Sequence, residues 1–440
     1  PDDIANILCT TFNKMMVLIV TLADKHQSCP YCGFTAPKIK EYVTKEITHS
    51  ALTTQKCIIK YRARRYKCSC CGKTYYEFNP FVFKSQKISI LTVHNILKDL
   101  KDFNETFTSV ARRYHVSPTS VSTIFDKHVD IGRNPLPEII NFDEVYAFKS
   151  EKSKYVCVLL DFKKQIPVDV LPNRKKEYLL NYFQKIPLEE RKKVKYACSD
   201  MYEVYRDVVH KVFPSCCMLL DYFHLSQDFH RKMNEVRMKV MKGYKDNKAS
   251  DEYYLLKKFN WLLFKNPEDE DKHGRLFDVE RERKYNSHFK SYMNYYDLRK
   301  KLLEINNDLT ICYSLKLELV DFYSKSTIDN AKVNLENLIR SCIDTNIDEM
   351  IAFSNNLINW KQEIINSFTI VGTEYKVEAD KGQVVVCNKK VNNAIIENRN
   401  KIIKCIKNNA NGYTNWSRFR NRVMYVLDPN ATFSLEPREK

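Results

Sequence analysis

Long hydrophobic runs are missing from this sequence of 440 residues. None of its apolar stretches reaches the ~20 residues that a helix needs to span a bilayer, so a membrane-spanning protein is excluded. The most leader-like segment is the short apolar run at 15–23, which follows Lys14. A weak signal peptide is one interpretation of this run, and a buried strand is the favoured one.

A disulfide framework is missing too. The cysteines number 15, which is an odd count, and most of them lie inside apolar runs. That usage is typical of a protein kept in a reducing compartment. Examples are Cys157, Cys198, Cys216 and Cys217.

Acidic residues are too few to balance the basic ones. Lys and Arg number 72 against 54 Asp and Glu, which gives a formal charge of +18. Such an excess on a folded chain favours a polyanionic partner, most often nucleic acid. The alternative is a generally basic proteome, since Lys and Asn are abundant and Gly numbers only 8. The apolar content is sufficient for real cores, and the length predicts roughly two to four domains.

Two C-x-x-C pairs stand near the beginning of the chain. Cys29 and Cys32 are followed by a glycine, and so are Cys68 and Cys71. Four thiolates at this spacing can close a tetrahedron around Zn²⁺, and each glycine allows the tight turn. A zinc held by four protein ligands is structural, because no position is left open for chemistry. The alternative, four buried free cysteines, is disfavoured.

The second half of the segment between the two pairs carries basic residues without balancing acids. The sequence has no acid from Ile47 to Tyr76, and tyrosines interleave with the cations. This composition suits contacts to DNA phosphates, with a solvated face as the alternative. The residues expected to make these contacts are Arg62, Arg64, Arg65 and Lys67.

A helix-turn-helix pattern follows at 107–125. His115 and Val116 make the turn after the first helix, Ser117 is placed to cap the second, and Pro118 suits its first position. An ordinary helical hairpin is the alternative. The residues left free to meet a major groove are Thr119, Ser120, Thr123 and Lys127.

The middle of the chain changes to strand patterns. The predicted order of elements between 139 and 221 is βββαβαβ, which is the order of an RNase H-like fold. In this order Asp143 on the first strand lies beside Asp200 at the end of the fourth. Converging carboxylates repel each other unless divalent cations neutralise them. The pair therefore predicts a site for two Mg²⁺ ions, or Mn²⁺, suited to phosphoryl transfer.

A third acid for such a site is offered by a predicted helix at 393–409. Isoleucines fill one side of this helix, and Glu397, Asn400 and Lys404 lie along the other at helical spacing. The polar stripe presents a carboxylate, an amide and a cation to a phosphate backbone. Taken alone, the stripe is better explained as a solvated face.

Taken together, these residues resemble the ISL3 family of bacterial insertion-sequence DDE transposases. The resemblance covers nearly the whole chain and rests on an ordered set of motifs, none of which is decisive alone. Besides the cysteine pairs and the helix-turn-helix, the set comprises Phe142-Asp143-Glu144, Ser199-Asp200-Met-Tyr202, Asp221-Tyr-Phe-His224, Asn393-x-x-x-Glu397-x-x-Asn400-x-x-x-Lys404 and the block at 412–422.

The resemblance implies that Asp143, Asp200 and Glu397 are the DDE triad and hold the two catalytic ions. Asp221 and His224 form a D-x-x-H string that is seen in several DDE families. Its role stays open between orienting a metal-site carboxylate, touching the scissile phosphate and being a satisfied polar pair. Asn400 and Lys404 are further auxiliary candidates.

We accordingly predict an α+β multidomain chain with a large all-α insertion in its RNase H-like core. The predicted parts are a zinc-binding DNA-binding module at 1–82, a helix-turn-helix at 83–133, the first part of the core at 134–230, a mainly helical insertion at 231–385, and the second part of the core with the C-terminal tail at 386–440.

The predicted function is a transposase that binds the terminal inverted repeats of an insertion sequence and catalyses metal-dependent strand cleavage and strand transfer. The expected partners are double-stranded DNA and a second copy of the chain, because two ends must be processed together, and the expected location is the bacterial cytoplasm at the nucleoid. The alternatives are a non-catalytic DNA-binding protein, domesticated or inactive, and an unrelated metal-dependent nuclease.

Overall fold

A computed structural model of the chain shows a mixed α/β protein. The structure describes residues 3–25, 28–35, 37–50, 55–83, 86–148, 153–377 and 384–438, with the backbone alone at 374–377 and 384–387. Within these ranges no helix combines the length and the hydropathy that a membrane crossing requires.

The first sheet is built by the chain before residue 77. Its strands are β1 Ile4–Phe12, β2 Met15–Leu22, β3 Lys38–Thr48, β4 Cys57–Lys67 and β5 Thr74–Tyr76. Their order is β1-β2-β4-β3, with β5 paired to β4 and with β2 parallel to β4. The strand predicted at 15–23 is thereby confirmed, and its alternating side chains Val20 and Leu22 enter the core of this sheet.

Three short helices follow, α1 Ile90–Asp99, α2 Phe107–Arg113 and α3 Pro118–His128. The Ser117 side chain accepts a hydrogen bond from the Ser120 backbone N–H, and Pro118 opens α3, as the sequence predicts. The turn before it contains His115 in the left-handed region at φ 53°. Apolar residues of all three helices share one core, so the arrangement matches the predicted helix-turn-helix.

A second sheet of five strands forms the centre of the chain. Its strands are β6 Ile139–Val145, β7 Val156–Asp161, β8 Pro167–Leu171, β9 Tyr196–Ser199 and β10 Cys217–Leu220. The helices between them are α4 Lys176–Gln184, α5 Leu188–Arg191 and α6 Glu203–Val212. The predicted strand and helix order is confirmed, with the short α5 as an addition.

The strand order in this sheet is β10-β9-β6-β7-β8. The pairs β6–β7 and β7–β8 are antiparallel, whereas β6–β9 and β9–β10 are parallel. Ile139 pairs with Tyr196 and Asn141 with Cys198, so the same register carried two places further sets Asp143 against Asp200. The topology therefore brings two acids from distant parts of the chain to neighbouring positions at the carboxyl ends of β6 and β9.

Helices with one common core occupy most of the stretch between β10 and residue 369. They are α7 Tyr222–Lys242, α8 Asp251–Lys258, a 3₁₀ turn at Asn260–Phe264, α9 Tyr295–Glu304, α10 Asn307–Lys325, α11 Ala331–Asp344, α12 Asp348–Asn359 and α13 Lys361–Asn366. Two small hairpins interrupt them: β11 Glu270–Asp271 with β12 Gly274–Arg275, and β13 Lys284–Asn286 with β14 Ser291–Met293. These hairpins correct the expectation of an all-α segment.

The last described elements return to the central sheet. A hairpin of β15 Ile370–Val377 and β16 Val384–Lys390 precedes the last two helices, and residues 378–383 lie outside the described ranges. Helices α14 Ala394–Asn409 and α15 Trp416–Leu427 then pack on one face of β6, β7 and β8. Helices α4 and α6 cover the opposite face, so the sheet is sandwiched between two helical layers.

The C-terminal segment also joins the central sheet to the helix-turn-helix. Tyr425 of α15 lies in the core of α1–α3, and its hydroxyl donates to the carbonyl of Leu97 over 3.0 Å. The guanidinium of Arg422, which is 1% exposed, donates to backbone carbonyls at Asp102 and Glu105. Further contacts of this kind fix the helix-turn-helix to helix α15.

Candidate active site and zinc site

The four predicted cysteines form a compact cluster in the first module. Their sulfur atoms all lie within 4.8 Å of one another. Sγ of Cys29 is 3.7 Å from Sγ of Cys71, and Sγ of Cys32 is 3.5 Å from Sγ of Cys68. Zn–S bonds of about 2.3 Å in a tetrahedron place sulfurs about 3.8 Å apart, so the cluster fits Zn²⁺.

The two turns that carry these cysteines have the same backbone pattern. Gly33 N–H donates to the carbonyl of Cys29 over 2.9 Å, and Gly72 N–H donates to that of Cys68 over 3.0 Å. Both glycines adopt a positive φ, 74° and 71°, which a side chain would disfavour. The C-x-x-C-G spacing therefore dictates each turn locally, and the sheet brings the two turns together.

The basic residues of the module differ in availability. Arg62 and Lys67 are exposed on β4, and Arg62 lies over the ring of Tyr42. Arg65 is half-buried and forms an ion pair of 2.6 Å with Glu41. Arg64 pairs with the buried Glu77 at 2.8 Å and also donates to backbone carbonyls of the β2 end. Its guanidinium is committed inside the module, so we withdraw Arg64 from the expected DNA contacts.

Two of the four expected groove residues on α3 are exposed. Thr119 and Thr123 lie open, whereas Ser120 and Lys127 are partly covered. The Ser120 hydroxyl is 2.8 Å from the hydroxyl of Ser117, within the cap of the helix. The backbone carbonyl of Lys127 accepts from the Arg438 N–H, so the C-terminal segment runs past the end of α3.

Asp143 and Asp200 meet at the edge of the central sheet. Asp143 is 8% exposed, and its two carboxylate oxygens accept hydrogen bonds of 2.7 Å from the Glu144 N–H and from the Asn400 amide. Burial raises the pKa of Asp143 to about 7; the charge of Asp200 adds to the shift and the Glu144 N–H opposes it. Burial, together with the charge of Glu144, raises the pKa of Asp200 to about 6.

Glu397 on helix α14 groups with Asp221 and His224, and this group does not include Asp143 or Asp200. One ligand atom each from Glu397, Asp221 and His224 lies within 4.8 Å of the others, a grouping that could hold a metal ion. Asp221 is 4% exposed, and burial raises its pKa. A charge on His224 lowers the pKa of both Asp143 and Asp200, so the two sets of residues are near enough to interact. We call these five residues the acid cluster.

Several polar atoms of the cluster are left without a hydrogen bond. They are Oδ1 of Asp200, Nε2 of His224 and Oδ1 of Asn400, all buried among the described residues. His224 Nε2 is 3.9 Å from the Asp221 carboxylate, which is too long for a hydrogen bond. Buried polar atoms normally find a partner, so these three atoms suit contacts to a bound ion or phosphate. Carboxylate, imidazole and amide groups are ligands that divalent cations accept.

The structure shows which part of the polar stripe of α14 faces the acid cluster. Asn400 is 6% exposed and holds Asp143, and Glu397 joins Asp221 and His224, so this part of the stripe faces the cluster and not solvent. Lys404, one turn further on, is exposed. The solvated-face explanation therefore applies to the distal part of the helix alone.

Sequence reasoning missed the residues that fasten α14 to the sheet. The amide of Asn141 on β6 donates to the side-chain oxygen of Asn393 over 2.6 Å, and the Asn393 amide donates to the carbonyl of Phe142 over 3.3 Å. Both asparagines are fully buried. A buried Asn on a central strand is a signal for such a clamp, but its partner, 252 residues away, cannot be read from the sequence.

Glu144 has a separate partner on the opposite face of β6. Its carboxylate pairs with Arg174, whose guanidinium lies over the rings of Tyr155 and Tyr202 at 4.7 and 4.6 Å. Arg174 thus neutralises the Glu144 side chain on this face of β6, while the charge of Glu144 still contributes to the raised pKa of Asp200.

A family model described as a transposase, of the ISL3 type in the DDE class, matches residues 140–379, more than half of the chain. The chain therefore belongs to the ISL3 family of transposases. The matched segment contains Asp143, Asp200, Asp221 and His224 and ends before Glu397.

A curated relative extends the similarity beyond that segment. The transposase for insertion sequence element IS1001 of Bordetella parapertussis is 19% identical over 405 residues, which cover 92% of this chain and 89% of the relative. The match is therefore much longer than the segment that the family model covers.

Proposed function

We propose that this transposase binds the terminal inverted repeats of an insertion sequence and catalyses metal-dependent strand cleavage and strand transfer. The observation that carries the proposal is the acid cluster. Buried carboxylates with raised pKa values stand beside polar atoms that have no hydrogen-bond partner among the described residues. Such a cluster is unfavourable by itself and becomes favourable when cations neutralise it.

The proposed catalytic residues are Asp143, Asp200 and Glu397. They would hold two Mg²⁺ or Mn²⁺ ions, with Asp221 and His224 as further ligands or orienting groups. Such ions, when bound, supply the activation of water or of a 3′-hydroxyl and the stabilisation of the leaving oxygen. The strand order β10-β9-β6-β7-β8 supports our proposal that the core is RNase H-like and is split by an insertion at 231–385.

The chain's own residues would position the reaction. The Asn400 amide holds the Asp143 carboxylate in one orientation. The hydrogen bond between Asn141 and Asn393 fixes the beginning of α14, which carries Glu397, against β6. In-line attack by water at the element end, and then by the freed 3′-hydroxyl on target DNA, needs no protein nucleophile. The protein supplies alignment and charge, which is sufficient for phosphoryl transfer.

We further propose that the cysteine module and helix α3 read and grip the DNA end. Arg62 and Lys67 are exposed and suit phosphate contacts, and Arg65 can exchange Glu41 for a phosphate at its half-exposed position. Thr119 and Thr123 are the exposed α3 residues for the major groove, with Ser120 and Lys127 at its margin. Four cysteines would hold a structural Zn²⁺ in the module.

The test is cleavage of a labelled duplex that carries the parent element's end, with Mg²⁺, by wild type and by Asp200→Asn. We expect cleavage by wild type alone, with end binding retained in both. Asp207→Asn is the matched control, because Asp207 is an exposed acid on α6 and pairs with Lys176 at the surface. Tight end binding by a wild type that does not cleave would favour the non-catalytic DNA-binding alternative.

We also propose that the active form is at least a dimer, because two element ends are processed together. Light scattering of the complex with two ends gives its mass. A complex with one protein chain would contradict this proposal.

A further inference from the structure

A cavity of about 630 Å³ opens beside the acid cluster. Asp221 and Glu397 form part of its wall, so one side of the cavity is the proposed catalytic site itself. The rest of the wall comes from the start of α7, from α10 and from the end of β16. A phosphate held at the carboxylates would therefore have its neighbouring nucleotide at the mouth of this cavity.

Three aromatic residues line the cavity, Tyr222, Phe223 and Tyr323. Tyr323 is already occupied, since its ring lies 3.7 Å from that of Tyr222 and stacks on Phe368 at 5.3 Å. Phe223 differs, because it is 49% exposed and lies directly before His224, with the two rings 5.8 Å apart. An open aromatic face next to a catalytic-site residue is unsuited to the charged DNA backbone and suited to the flat face of a base.

Polar groups in the same cavity add hydrogen-bonding capacity. Oδ1 of Asn266 is buried and accepts no hydrogen bond from the described residues. Lys390 and Asn392 stand on another part of the wall, close to the beginning of α14. The ammonium of Lys390 lies 4.5 Å from the ring centre of Phe368, so a cation is held within an apolar setting. Aromatic, amide and cationic groups together match a nucleotide, which has a base edge and a phosphate.

We propose that this cavity receives an unpaired nucleobase of the DNA, from a nucleotide next to the scissile phosphate, with Phe223 as the stacking ring and Asn266 on the base edge. In a duplex both faces of a base are stacked, so the base must leave the helix to enter. Its capture would fix the adjacent phosphodiester against the carboxylates and would set where the strand is cut. This inference rests on the proposed function, because it assumes that DNA is cleaved at the acid cluster.

The first experiment compares cleavage of two end duplexes by the full chain. One duplex is fully paired, and the other carries a mismatch at the nucleotides that flank the cleavage point. For Phe223→Ala we expect cleavage of the paired duplex to fall about tenfold, and cleavage of the mismatched one to stay within about twofold of wild type. The mismatch removes the unpairing step that the ring assists. Phe223→Tyr, which keeps the stacking face, should behave as wild type on both.

Control variants separate stacking from folding. Tyr292→Ala removes another exposed aromatic ring, 68% exposed on β14, and should leave both rates unchanged. Asn266→Ala removes an oxygen that accepts no hydrogen bond within the described part of the chain, so it should keep the fold and lower cleavage of the paired duplex by a few-fold. Equal losses on both duplexes, or no loss with Phe223→Ala, would overturn the proposal.

The second experiment reads the base directly and does not need cleavage. A 2-aminopurine placed next to the cleavage point should brighten when wild type binds in the absence of added divalent metal, and Phe223→Ala should reduce this change. A probe well inside the duplex should not respond. Brightening in a protein that never cleaves would leave the cavity proposal standing and sink the catalytic one. Cleavage without brightening, together with full activity of Phe223→Ala, would contradict the cavity proposal and leave the catalytic one standing.

Discussion

The cysteine cluster and the acid cluster are both fitted to metals, but the protein assembles them differently. The cysteines lie on two local turns, and the paired cysteines are separated by 36 and 42 positions in the sequence. Their geometry already approaches a closed tetrahedron. The acid cluster joins the Asp221–His224–Glu397 group to Asp143 and Asp200 of the central sheet, and some of its buried polar atoms have no hydrogen bond to the described residues. The first site is closed and would stabilise the fold. The second keeps buried carboxylates with raised pKa values, as the proposed site for chemistry requires.

The largest difference between the two clusters should appear in cleavage. We expect Asp143→Asn, Asp200→Asn and Glu397→Gln each to lower cleavage by about 10³-fold or more, because each removes a charged ligand. End binding should remain within about twofold, since the acids lie outside the DNA-reading modules. Gel-shift and single-turnover assays measure the two quantities. Full cleavage by any one variant would remove that residue from the catalytic set.

The cysteine cluster should show the opposite pattern. The double variant Cys29→Ser with Cys68→Ser should lose its zinc, unfold the first module and weaken end binding by about 100-fold. Elemental analysis and gel shift are the measurements. Cys70→Ser is the matched control, because Cys70 is exposed in the same turn and lies outside the cluster. Unchanged zinc content in the double variant would contradict the assignment.

A smaller effect tests how the acid cluster is held. Asn400→Ala removes the hydrogen bond to Asp143, and we expect cleavage at limiting Mg²⁺ to fall about 10–100-fold. Because the ligands remain, a higher concentration of Mg²⁺ or Mn²⁺ should restore part of the rate. Asn408→Ala, on the exposed side of the same helix, is the control. A loss that no metal concentration relieves would indicate a role other than positioning Asp143.

The smallest expected effect is on stability. The pKa of Asp200 in the folded protein, about 6, lies above its ordinary value of 3.8, so the folded state binds more protons between these values. Its contribution to the stability of the metal-free protein is therefore lost as pH rises through about 6. At pH 8 we expect Asp200→Asn to raise the metal-free melting temperature by about 1–3 °C, and by less near pH 4. Added Mg²⁺ should stabilise wild type more than the variant.

The stability experiment has a clear negative outcome. A lower melting temperature for Asp200→Asn at both pH values would mean that the carboxylate makes a favourable contact, and the charge strain argued for the acid cluster would be absent. Differential scanning fluorimetry with and without Mg²⁺ suffices, since only differences between matched samples are needed.

Local features could be predicted from the sequence, and long-range ones could not. The C-x-x-C-G turns and the Ser117-Pro118 start of α3 are fixed by neighbouring residues, and both appear as expected. The order of strands and helices along the chain in the central region follows from apolar runs and short connections. The strands of the two small hairpins after α8 have only two or three residues each, too few to show a periodicity.

The acid cluster shows the same limit. Asp143 and Asp200 could be paired through the expected topology, whereas Glu397 followed from the family resemblance and not from its helix. The grouping of Glu397 with Asp221 and His224, and the hydrogen bond from Asn400 to Asp143, join residues far apart in the chain. The commitment of Arg64 to Glu77 was missed because Glu77 stands just past the acid-free stretch.

The docking of α15 on the helix-turn-helix has a consequence for the time at which the protein becomes able to read DNA. Tyr425 completes the core of α1–α3 and bonds to Leu97, 328 residues earlier in the chain. A chain still on the ribosome carries those three helices long before it carries Tyr425 and Arg422, so the part of their core that Tyr425 fills is completed only after the synthesis of α15. The proposed DNA-reading helices are therefore complete only in a chain that also contains Glu397, and a product truncated before α15 lacks this brace.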